Sequence, residues 1–260
     1  MIQTYLLESA ALPDPLFDGA QGEWNERLSS ERMEKIRRIK HAGTRKQSFG
    51  AGLLLEQLLH HYAPGAKIQT SDYGKPFCRG IPFNLSHTAD AVIVSICGSD
   101  PHVCIGCDIE RIKPYERRIA RRFFTGAEYE SLEAETDEQA QAALFCRYWT
   151  KKESVMKLTG LGMSLPMDLY DVQGDRAAVD IEKARRWYEK CLLNGKEKPG
   201  FAQAAERLFY QSQRLFLKEY RYKDYCIAVC SLSDAFAPQI KRLYFDGQRL
   251  RRSYQDRYEK

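Results

Sequence analysis

Apolar positions follow two periods along this chain, and the alternation between them predicts the elements. From Ser30, which can cap a helix, Met33, Ile36 and Ile39 recur at helical spacing. A second helix is predicted over SFGAGLLLEQLLHHY, ended by Pro64-Gly65. YGKPF is a turn signal, and PFNLSHT, DAVIVSICGSD and HVCIGCDIERI read as strands, the last broken by Lys113-Pro114. Helical spacing resumes from about Ile119 to Leu132 and from about Glu138 to Leu158, the second closed by the glycines of TGLGMS. The window Asp90–Asp100 also lies over Asp224–Asp234, with matching acidic ends and a matching isoleucine. In each half a long amphipathic helix precedes the strands. The expectation is an α+β fold of two similar halves with a cleft between them, residues 1–101 and 102–260. Between Gly174 and Gln213 two amphipathic helices are expected around Asn194-Gly195, and the stretch beyond Ile240 is basic. Both suit solvated surface.

Length and charge narrow the class. At 260 residues the chain is one large domain or two modest ones, with apolar residues at 43% and charged ones at 29%. That excludes a disordered or fibrous chain. The net charge of +5 fits an anionic ligand without requiring nucleic acid. Mean hydropathy is −0.53, and no apolar run approaches the roughly 20 residues of a membrane span. The start, MIQTYLLESAALPDPLF, carries Glu8 and Asp14 and does not read as a signal peptide. The eight cysteines fall mostly within apolar runs, so reduced thiols and a cytoplasmic protein are expected.

Candidate chemistry begins with Asp108 and Glu110, two apart on a predicted strand. A period of two puts both carboxylates on one face and Ile105, Cys107 and Ile109 on the other. Adjacent carboxylates repel unless a cation relieves them, and magnesium suits such a pair because it adds water and phosphate oxygens. The alternative is a pair of exposed acids on an edge strand. Cys104 and Cys107 have opposite strand parity, which argues against a shared metal or redox site. On the helix around WTKKESVMKL, Glu153 and Lys157 share a face, either as an ordinary surface pair or as companions of the acid pair. Ser86 and His87 are strand neighbours that point apart, so they cannot form a hydrolase triad. Lys75 sits on the YGKP turn, where a lysine is solvated or holds a phosphate.

Four blocks in order, YGKPFC…FNLSH, IGCDIERI, RRFFTGAEYESL and FCRYWTKKESVMKLTGLGMSL, resemble the signature of Sfp-type 4′-phosphopantetheinyl transferases. The resemblance runs from about Ser29 to Leu169 and resumes near Leu217–Tyr244. It implies two pseudo-symmetric α+β halves, coenzyme A bound between them as substrate, and Mg2+ on Asp108, Glu110 and Glu153. Lys75 and Pro76 would contact the coenzyme, and Ser86 and His87 its 3′-phosphate region. Arg32, Lys35 and Lys46 match basic positions for the nucleotide phosphates, Glu128 a further acidic position, and Lys152 and Lys157 the two lysines.

The implied reaction moves 4′-phosphopantetheine to a serine hydroxyl of an apo acyl, peptidyl or polyketide carrier protein, releasing 3′,5′-ADP. Glu153 would be the base, Lys157 the proton donor and Asp108 part of the catalytic metal site. A cytoplasmic monomer is expected, with no membrane and no nucleic acid as partner. The alternative is a nucleic-acid- or coenzyme-binding protein without transferase activity, using the basic helix and tail. Two departures stand out, the long 174–213 segment and the tail beyond Tyr244. Trp187, Tyr188, Phe209 and Tyr210, with Arg185, Arg186 and Arg207, would either steer an acidic carrier or simply pack the inserted helices.

Overall fold

Side-chain alternation along the central strands decides how the layers stack. The computed structural model describes residues 1–15, 28–88, 90–195, 200–209, 212–246 and 249–253. The first half contributes β1 (Ile2–Glu8), α1 (Ser30–Arg37), α2 (Ala42–Tyr62), the short hairpin β2 (Gln69–Thr70) and β3 (Pro76–Phe77), β4 (Phe83–Thr88) and β5 (Ala91–Cys97). There follow β6 (Ile105–Arg111), α3 (Arg117–Phe123), α4 (Gly126–Ala134) and the long α5 (Glu138–Thr159). Beyond it lie β7 (Tyr170–Asp171), β8 (Ala178–Val179), α6 (Ile181–Leu193) and α7 (Phe201–Phe209). The chain closes with β9 (Phe216–Tyr222), β10 (Tyr225–Ser231), β11 (Lys241–Phe245) and β12 (Leu250–Arg252). The fold is α+β, as expected.

The expected elements are present, with local corrections. Ser29 rather than Ser30 caps α1, its hydroxyl accepting from the Arg32 amide at 3.3 Å. The basic segment then breaks, and Arg45 and Lys46 belong to α2. The helix expected over 119–132 is two, because Thr125 and Glu128 form a reciprocal capping box that starts α4 afresh. Gly160, at φ 80°, ends α5 in the left-handed conformation that favours glycine.

The two larger sheets are ordered β12-β11-β1-β5-β4 and β6-β10-β9, beside the two-stranded β2-β3 and β7-β8. The stretch beyond Ile240, expected to be solvated tail, supplies β11 and β12, and β11 pairs with β1 in parallel. From β5, Val92, Val94 and Ile96 pack with Leu54 and Leu58 of α2. Ala91, Ile93 and Cys97 join Ile105, Cys107 and Ile109 of β6 and Ile227 and Val229 of β10 in a core between the sheets. On the far side Val155 and Leu158 of α5 share a core with Cys230. The order is therefore helix, sheet, shared core, sheet, helix.

At one edge β4 and β6 come together without a backbone ladder. Side chains zip them instead. Asn84 accepts the Cys107 amide at 2.8 Å, Ser86 donates to Asp108 at 2.7 Å, and Thr88 donates to Glu110 at 2.7 Å. Gly106, on the same strand face as Asp108, lets α5 lie against β6. A Cβ there would stand 2.0 Å from the Ser154 carbonyl oxygen and 2.3 Å from the Leu158 nitrogen.

Candidate active site

The seam between β4 and β6 gathers charged side chains from β6 and α5. Asp108 is buried, and its Oδ1 accepts from Ser86 at 2.7 Å and from the Lys157 ammonium at 2.6 Å. Lys157 also donates to the Ser86 hydroxyl at 2.8 Å. Burial pulls the Lys157 ammonium down, but Asp108 outweighs it and holds it above the usual lysine range. The other oxygen, Asp108 Oδ2, is buried with no hydrogen-bond partner. Such an atom is costly to leave bare, and a cation is one way to satisfy it.

Glu153 lies one helical turn before Lys157. Desolvation first, then the neighbouring Asp108 and Glu110 carboxylates, push its carboxyl up to about 7, with Lys157 opposing. Desolvation likewise raises Glu110, with Thr88 opposing and Asp108 adding. The three acids thus sense one another. Among the described residues, however, no three His, Cys, Asp or Glu side chains gather closely enough to form a metal centre by themselves.

A second group of charges borders the seam. His87 points away from Ser86 and is exposed. Its imidazole is held below the usual range by desolvation and then by Lys157 and Arg32, with Asp108 opposing. Arg32 donates to the Ser48 carbonyl at 3.2 Å, while its Nε is buried without a partner. Desolvation lowers its guanidinium, with Glu56 opposing. Lys35 stands exposed on α1 and Lys46 half-buried on α2. Arg45 turns inward to Asp14 at 2.6 Å, and Arg251 pairs with Asp246, which removes part of the basic surface a nucleic-acid reading needs.

Other expected site residues have a different place. Lys75 does not reach outward to a phosphate. Its ammonium donates to the backbone carbonyls of Ile105, Lys157 and Leu158 at 3.0, 2.6 and 3.2 Å, which uses all three of its protons. Pro76, the next residue of the hairpin, has opposite strand parity. Lys152 is fully buried against Glu128 at 2.8 Å and also donates to the Met167 and Tyr170 carbonyls. Glu128 is enclosed too, accepting from the Thr125 and Val172 amides. That pair braces the second half rather than facing the seam. Lys151, unremarked in the sequence, does similar work on the Val172 and Gly174 carbonyls and on Glu219. Asn84, Thr88 and Gly106 were also missed, although Asn84, Ser86 and Thr88 share strand parity.

The inserted helices pack on themselves. The Tyr188 ring stacks on Phe201 at 5.4 Å, and Trp187 and Phe209 complete the cluster at 5.6 and 5.5 Å. This favours packing over docking for those aromatics; Tyr210 lies outside the described residues. Arg207 turns inward and donates to the Thr159 carbonyl at 3.2 Å. All eight cysteines are free thiols, and among the described residues no helix is long and apolar enough to cross a membrane.

Comparison with known proteins is consistent with this arrangement. A family model described as the 4′-phosphopantetheinyl transferase superfamily matches residues 104–230, which run from β6 through α5 into β10. A 4′-phosphopantetheinyl transferase of Bacillus subtilis is 34% identical over 191 residues, covering 69% of this chain and 81% of the relative. The chain belongs to the 4′-phosphopantetheinyl transferase superfamily. The transferase Sfp of Bacillus subtilis strain 168 is 35% identical over 197 residues, 70% of this chain and 84% of its own. The transferase AcpT of Salmonella typhimurium is 37% identical over 123 residues, 45% of this chain and 61% of its own. In this phosphopantetheinyl transferase the matched segment includes Asp108, Glu110, Glu153 and Lys157.

Proposed function

We propose that this protein transfers the 4′-phosphopantetheine of coenzyme A to a serine hydroxyl of an apo carrier protein, releasing 3′,5′-ADP. The observation that carries the reading is the bare Asp108 Oδ2 at a seam shared with Ser86, Lys157 and Glu153, bordered by Arg32 and His87. One bare carboxylate oxygen beside a second acid fits magnesium, which binds through one or two carboxylates and completes its shell with water and phosphate. Asp108 and Glu110, with Glu153, would hold it; when bound it supplies neutralisation of charge on the pyrophosphate.

The chain's own residues do the rest. Arg32 and His87, with Lys35, Lys46 and the hairpin at Pro76, receive the nucleotide end. Lys157 stands where the leaving phosphate gains charge and offers it a proton. Glu153 takes the proton of the carrier serine, and because that serine is the nucleophile the chain needs none of its own. The chain has two similar halves, a proposal supported by β5 and β10, each a wholly buried strand flanked on both sides. Free thiols suit the cytoplasm.

The test is mass spectrometry of an apo carrier protein incubated with this protein, coenzyme A and magnesium. A gain of one phosphopantetheine is expected. No gain with acyl, peptidyl or polyketide carriers alike would overturn the reading.

A further inference from the structure

The end of α5 is held by cations from two distant parts of the chain. Lys75 comes from the β2–β3 hairpin and takes the carbonyls of Lys157 and Leu158, together with that of Ile105 at the start of β6. Arg207 comes from α7, in the segment that departs from the family pattern, and takes the next carbonyl, that of Thr159. Helix ends leave their last carbonyls without intrahelical partners, and positive charge there is stabilising. Here three successive carbonyls, ahead of the left-handed Gly160, are satisfied by side chains far away in sequence.

The hairpin is itself fixed. The Ser71 amide donates to the Lys75 carbonyl at 2.9 Å, the Lys75 amide to the Ser71 hydroxyl at 3.0 Å, and Gly74 supplies a positive φ of 82° at the tip. The backbone of Lys157 is thus anchored by Lys75 and its ammonium by Asp108 and Ser86.

We infer that Lys75 and Arg207 are positioning residues: a two-cation clamp on the end of α5 that sets where Lys157 and Glu153 stand relative to Asp108. The inference rests on the transferase reading and extends it. Lys75 links the hairpin on the coenzyme side to the helix that carries the proton-transfer groups. The inserted α7 contributes to catalytic geometry through Arg207, whatever it does for partner choice. A small displacement of a reacting group is costly, up to about a hundred-fold for 1 Å.

Lys75→Met removes the ammonium at similar length, and Arg207→Met does so from the surface side, where folding is less at risk. Lys75→Met is expected to lower kcat about ten-fold or more while the KM for coenzyme A changes less than about two-fold. Arg207→Met should act in the same direction, more weakly. In both variants hydrogen–deuterium exchange of the amides around residues 156–162 should accelerate. A raised KM for coenzyme A at unchanged kcat would make Lys75 a phosphate ligand and overturn the clamp. Unaltered exchange at the helix end in both variants would overturn it too. If the parent protein transfers nothing to any carrier, the transferase reading fails, and the exchange measurement still decides the clamp.

Discussion

Two ion pairs on α5 differ in what surrounds them. Lys152–Glu128 at 2.8 Å and Lys157–Asp108 at 2.6 Å come from lysines five residues apart in one motif, roughly 140° apart around the helix. The first pair is wholly sealed, at 0% exposure for both side chains, and both Glu128 oxygens are satisfied by Lys152 and two amides. The second sits at the seam with Lys157 28% exposed, and it leaves one buried Asp108 oxygen bare. A completed polar network specifies architecture, whereas an incomplete one at an open edge is prepared for a ligand. Identical chemistry in sequence therefore serves two purposes, separated by solvent access and by what remains unsatisfied.

The sharpest break of that comparison is Lys152→Met. Removing one partner of a sealed pair strands the other charge, and a loss of about 3–5 kcal/mol in urea unfolding is expected. Lys157→Met, at the open seam, should cost far less. Equal losses would end the distinction. Next comes Asp108→Ala, for which kcat should fall about a thousand-fold, roughly 4 kcal/mol, while circular dichroism shows a retained fold. Most of the parent turnover at ordinary magnesium would remove Asp108 from the site.

The smallest effect is a pH dependence. In metal-free protein Glu153 has its carboxyl raised to about 7, above its ordinary 4.5, so the folded state holds the proton more tightly than the unfolded chain. Stability attributable to this group is complete below about 4.5 and is lost as pH rises to about 7, by at most about 3 kcal/mol. Glu153→Gln should flatten the unfolding free energy across that window in the presence of a chelator. Parallel curves for the two proteins would show that Glu153 is not desolvated beside Asp108.

Much of the seam was legible before the structure. Strand parity alone placed Asp108 and Glu110 opposite Ile105, Cys107 and Ile109, and the latter three do lie in the core between the sheets. Helical spacing put Glu153 and Lys157 together, and adjacency on a strand separated Ser86 from His87. These are local geometric consequences of periodicity. The single long helix expected over 119–132 failed for a reason also local: a capping box can start a helix inside an apparently continuous pattern.

The chain's own order of residues determined its elements, its α+β class and which acids share a face, because these follow from dihedral preference and period. Only tertiary structure decided what each cation does. Lys75, Lys152 and Lys157 look alike in sequence, yet the first holds carbonyls, the second fills a sealed pair and the third meets Asp108. Nor could periodicity show that β11 would return to β1, or that β4 and β6 would join through side chains. A lysine's ammonium ends several bonds from its backbone, so its partner depends on elements distant in sequence arriving at that point. Burial and the supply of unpaired oxygens then settle whether it is sealed within the fold or stays partly open at the seam.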